Sequence, residues 1–88
     1  MLNQHNDLGA SLFRTWTDEQ KKEEISKLVA GYRSGLPVGI LCKMTETIAG
    51  DRKLARKFLA GLMTLEERQA AVEKEPAAIK SAIKSILL

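Results

Sequence analysis

Large apolar side chains recur at helical spacing along most of this chain, and capping or breaking residues bound each run. Asp7 is placed to cap a first helix whose Leu8, Leu12, Phe13 and Trp16 share one face. Thr17-Asp18-Glu19-Gln20 has the form of a capping box, in which the Thr17 hydroxyl meets the Gln20 amide and the Gln20 side chain returns to Thr17. The second helix opens there, with Ile25, Leu28, Val29 and Tyr32 on its apolar stripe, and Gly35 accepts the left-handed conformation that ends it. Pro37 suits the first turn of a third helix carrying Ile40, Leu41, Met44 and Ile48. Over so short a run, Leu36 to Cys42 is also compatible with a short buried strand.

Gly50-Asp51 reads as a helix-ending glycine followed at once by an N-cap. The next helix sets Leu54, Ala55, Phe58, Leu59 and Leu62 on one face and Arg52, Lys53, Arg56 and Lys57 on another. Thr64-Leu65-Glu66-Glu67 predicts a second capping box and a short helix with Ala71 and Val72 inward, which Glu75-Pro76 stops. The final helix carries Ile79, Ala82, Ile83, Ile86 and Leu87, with Lys80 and Lys84 on its flank. The pattern therefore predicts an all-α fold, a small bundle of four to six short amphipathic helices in a single domain over residues 1–88, with 1–6 as a flexible tail. The likeness of the openings at Thr17 and Thr64 ends after one turn and reflects shared capping chemistry, not a repeat.

Length and composition fit that picture. A chain of 88 residues holds one small core, and 44% apolar with 28% charged residues is ordinary for a globular domain. The longest strongly apolar stretch, Leu36 to Cys42, is far short of the roughly 20 residues that cross a bilayer. The N-terminus lacks the basic and apolar regions of a secretory signal, so no membrane contact and a cytoplasmic setting are expected. A single cysteine, Cys42, excludes an internal disulfide.

The net charge of +3 is unevenly distributed. Residues 1–51 carry six Lys/Arg against seven Asp/Glu, whereas residues 52–88 carry eight against four. The simplest role of Arg52, Lys53, Arg56 and Lys57 is a solvated face. Their functional alternative is contact with an acidic protein or with nucleic-acid phosphates, indifferent to base sequence because no aromatic or amide group stands among them.

The run Leu12-Phe13-Arg14, then Thr17-Asp18-Glu19-Gln20-Lys21, then Ile25, Leu28, Ala30 and Gly31, with Asp51, Leu54, Ala55, Phe58 and Leu62 later, resembles the helical C-terminal domain of haem catalases. The resemblance to this catalase-related, immune-responsive domain covers roughly residues 4–62. The resemblance implies an accessory helical domain acting beside a haem-binding partner. It does not carry the catalytic apparatus with it. The family's haem-ligating tyrosine follows an arginine by four residues, whereas Leu28 stands four before Tyr32, and the only histidine, His5, lies in a polar stretch. The helix around Gly39–Met44 lacks the family's polar character, and residues 64–88 run past its usual end.

Little else in the sequence carries chemistry. The apolar neighbours of Cys42 predict a thiol of raised pKa, a buried small hydrophobe. His5 and Asp7 are too few for zinc. Glu23-Glu24 and Glu66-Glu67 fall in early helical turns, where they favour the helix dipole or solubility, and the glycines punctuate helices without forming a phosphate loop. The expectation is a non-enzymatic module with no cofactor and no metal, acting by protein-protein contact or self-association. Ile79, Ile83, Ile86 and Leu87 are its candidate apolar interface, a face expected to pack either within the domain or between chains. The alternative is a small DNA-associated regulator using the helix Arg52 to Leu62.

Overall fold

The computed structural model describes residues 13–88, and the predicted first helix with its Asp7 cap lies outside them apart from its last turn. Five α-helices follow: α1 (Asp18–Arg33), α2 (Val38–Ala49), α3 (Arg52–Leu62), α4 (Leu65–Glu73) and α5 (Ala77–Leu87). The fold is all-α, and no helix among the described residues is long and apolar enough to cross a membrane.

The ends of α1 follow the local chemistry closely. The Gln20 amide donates to Thr17 Oγ1 at 3.1 Å, and the Thr17 amide donates to Gln20 Oε1 at 2.8 Å. At the other end Gly35 takes φ 127°, which lets its amide reach the Tyr32 carbonyl and the Leu36 amide reach the Gly31 carbonyl. That bonding is a Schellman closure, and the Leu36 side chain packs over Gly31 as such closures favour. Gly50 takes φ 99° at the end of α2, and the Asp51 side chain accepts the Leu54 amide at 2.7 Å to start α3. Pro37 and Pro76 occupy the N-cap positions of α2 and α5, one residue before each helix proper.

Helices α2, α3 and α5 pack against one another; α1 lies across α2 and α3, and α4 against α5. One core joins them, with Ile25, Val29, Leu41, Ala55, Leu59, Ala71, Val72 and Leu87 all at most 2% exposed. Phe13, Trp16 and Tyr32 pack on its edge, the first two edge to face with ring centroids 4.6 Å apart.

Three sequence expectations need correction. The segment from Val38 onward takes the helical one of the two readings, but its inward residues are Val38, Leu41, Cys42, Thr45, Ile48 and Ala49. Ile40 and Met44, expected inward, are each 45% exposed. The run is apolar on more sides than one, so the packing of α1, α3 and α5 selects the buried face where periodicity does not. The capping box at Thr64 is half made: Thr64 Oγ1 accepts the Glu67 amide at 3.1 Å, but the Glu67 carboxylate turns to Arg33. A two-point bond to a guanidinium is stronger than a single bond to an amide, and it wins. Finally, Ile83, Ile86 and Leu87 are 3%, 5% and 1% exposed inside the domain, leaving Ile79, at 42%, as the exposed member of the expected interface. The requirement for three helices to cover one another's apolar faces consumes that surface.

Candidate functional site

Two surfaces collect the residues singled out from the sequence. The first is built on α3. Its apolar side faces the core, which turns Arg52, Lys53, Arg56 and Lys57 outward, all exposed. Their environments differ. Arg52 Nε stands 3.5 Å from Glu46 Oε2 across the α2–α3 turn. Arg56 Nη2 donates to the Leu88 carbonyl at 2.9 Å. Arg68 of α4 arrives beside it, donating to the Leu87 carbonyl at 2.8 Å and the Met63 carbonyl at 3.4 Å. Two guanidinium groups thus satisfy carbonyls at the C-terminal end of α5, where the helix dipole favours positive charge. Lys53, Arg56, Lys57 and Arg68 line one open hollow of about 300 Å³ with Ala60, Ile86, Leu87 and Leu88. Among the described residues Lys53 and Lys57 have no ion-pair partner. The sequence reading missed Arg68, because nothing in local spacing brings a residue of α4 to the end of α5.

The second surface is a groove of about 490 Å³ between α2 and α5. Cys42, Ile83 and Ile86 form its buried base, and Gly39, Ala78, Ile79 and Ala82 line its sides. Lys43, Glu46 and Arg52 stand at its edge. A methyl group added at Gly39 would meet nothing within 4 Å, so the α2 side is open to a closely approaching chain. Burial pushes the Cys42 thiol up to about 11, with the Glu46 carboxylate adding to the effect. The thiol is therefore neutral near pH 7 and contributes apolar surface, not a nucleophile.

The remaining charged contacts hold the helices together. Arg33 meets Glu67 with Nε to Oε2 at 2.7 Å and Nη2 to Oε1 at 2.8 Å, and Nη2 also reaches the Leu62 carbonyl at 3.2 Å. The guanidinium bonds hold the Glu67 carboxyl below its ordinary range and raise Arg33 above its own. Lys21 Nζ donates to the Ala49 carbonyl at 3.1 Å, closing the end of α2. Of the paired carboxylates, Glu24 pairs with Lys27 at 3.3 Å and Glu67 with Arg33. Among the described residues no three His, Cys, Asp or Glu groups come together as a metal site, and His5 with Asp7 lies outside them. No family model, curated protein or solved structure matches the chain.

Proposed function

We propose that this chain is a non-catalytic helical interaction module that acts by self-association, with a second copy seated in the groove between α2 and α5. The observation that carries the reading is Ile79, a large aliphatic side chain 42% exposed beside a base of Cys42, Ile83 and Ile86. Gly39, Ala78 and Ala82 around it are small enough to admit another helix at short range. The charged edge supplies the argument for a second copy. Lys43 and Glu46 carry opposite signs one turn apart on α2, so a two-fold axis that runs the α2 helices of two copies antiparallel would set Lys43 of each toward Glu46 of the other. The resemblance to the catalase-related domain supports the same class, an accessory helical domain without chemistry of its own. A cytoplasmic setting, in which Cys42 stays reduced, goes with it.

Sedimentation equilibrium over a range of protein concentration tests this reading. The wild-type chain is expected to form dimers, and Ile79→Glu to remain folded and monomeric with a melting temperature that no longer varies with protein concentration, since position 79 lies in the first turn of α5, where a carboxylate suits the helix dipole. Ile83→Asp is the contrasting variant: at 3% exposure it buries a charge without a partner and should unfold the domain. A wild-type chain monomeric at all concentrations, or an Ile79→Glu chain that associates as the wild type does, would overturn the proposal.

A further inference from the structure

We infer that the hollow formed by Lys53, Arg56, Lys57 and Arg68 is a site for the phosphate backbone of duplex nucleic acid. The inference stands on this cluster alone and does not depend on the dimer. Four cations from two helices converge on one concavity of about 300 Å³, and among the described residues no Asp or Glu side chain lines it. Helix α3 itself contains no acidic residue, and the single ion pair it makes among the described residues, Arg52 to Glu46, sits away from the hollow on the α2–α3 turn.

Arg56 and Arg68 are fixed in place by their bonds to the Leu88, Leu87 and Met63 carbonyls. A guanidinium carries five N–H donors, and these bonds use one on Arg56 and two on Arg68, so both keep donors for a phosphate oxygen. Lys53 and Lys57 lie one turn apart, about 6 Å along the axis, and both are exposed. The wall of Leu87 and Ile86 beneath the cations is apolar, which strengthens their field at the mouth of the hollow.

The chemistry of the lining selects among polyanions. Among the described residues no aromatic side chain lines the hollow, so it offers no platform on which unpaired bases could stack, and no Asn or Gln lines it to read a base edge. What remains is contact with the regularly spaced phosphates of a duplex, independent of sequence.

Fluorescence anisotropy of a labelled mixed-sequence DNA duplex, titrated with the full chain at several salt concentrations, tests the assignment. Four neutralised phosphates give a slope of log affinity on log salt near −3.6, or a loss of roughly 150-fold between 50 and 200 mM salt. The double variant Lys53→Gln, Lys57→Gln is expected to halve that slope, leaving a loss of roughly 12-fold over the same range, while its melting temperature stays that of the wild type. Lys27→Gln, on α1 and paired with Glu24, should leave the slope unchanged. Absence of binding at the lowest salt, a slope that the double variant leaves intact, or displacement of the duplex by poly-glutamate as readily as by unlabelled DNA would each overturn the inference, the last by reassigning the hollow to an acidic protein.

Discussion

Thr45 lies in the middle of α2 with none of its surface exposed, and its hydroxyl has no hydrogen-bond partner among the described residues. Its neighbour on the outer side shows the alternative: Thr47 Oγ1 donates to the Lys43 carbonyl one turn back at 3.0 Å. A hydroxyl taken out of water and left unbonded costs about 1–3 kcal/mol. Replacing Thr45 by valine exchanges that hydroxyl for a methyl group of nearly the same volume, and the two residues have similar helix propensities, so the change acts almost wholly on the desolvation cost. The expected gain is about 1–2 kcal/mol, which in a domain of this size raises the melting temperature by roughly 4–12 °C. Thermal unfolding followed by circular dichroism at 222 nm, backed by urea midpoints, measures it. Thr45→Ser keeps the hydroxyl and removes the methyl, so it should fall below the wild type by roughly 1 kcal/mol through lost packing. A Thr45→Val chain less stable than the wild type would refute the reasoning, because the hydroxyl must then make a bond that the valine forfeits.

Two further outcomes follow from the titratable groups. Because burial holds the Cys42 thiol at about 11 against an ordinary value of 9.0, the folded state keeps a proton that the unfolded state releases between those values, and stability contributed below pH 9 is lost as pH rises toward 11. Urea unfolding of wild type and Cys42→Ala at pH 8 and pH 11 should show a wild-type loss larger by about 2–3 kcal/mol, and a difference constant across that window would count against it. Glu67 has the opposite sign: Arg33 lowers its carboxyl, so the stability it contributes is present above the ordinary carboxylate range, near pH 4.5, and is lost as pH falls through the lowered value. Glu67→Gln should flatten that acid limb in urea midpoints taken from pH 6 to pH 2, and an acid limb as steep as that of the wild type would show that the pair adds nothing.

The legible parts of this fold are those fixed within a few residues of themselves. Thr17 with Gln20, Gly35, Gly50 with Asp51, and Thr64 each place a helix boundary through bonds that span no more than five positions, and each boundary is where the sequence sets it. The buried face of α2 was not legible. Val38, Ile40, Leu41, Cys42 and Met44 offer apolar groups around most of the helix, and only the arrival of α1, α3 and α5 decides that Ile40 and Met44 stay outside. Nor was the partner of Glu67 legible, since Arg33 lies 34 residues away and a nearer bond to Thr64 is available on paper.

The same distance problem governs how the basic surplus of residues 52–88 is to be read. Charge counting treats every Lys and Arg as available to a partner, but cations close several helix ends of this fold: Lys21 at Ala49, Arg33 at Leu62, and Arg56 with Arg68 at Leu88 and Leu87. Each of those bonds joins residues at least 19 positions apart, so none is visible as a local motif. Of the four α3 cations named from the sequence, Arg52 is drawn to Glu46 and Arg56 to a main-chain oxygen, while Lys53 and Lys57 have no ion-pair partner among the described residues. The arginines therefore serve the fold first and shape the hollow as a consequence, and the two lysines are where a loss of function can be separated from a loss of structure. Removing Arg56 or Arg68 would unbind the end of α5 and confound any binding assay; removing Lys53 and Lys57 takes away charge alone.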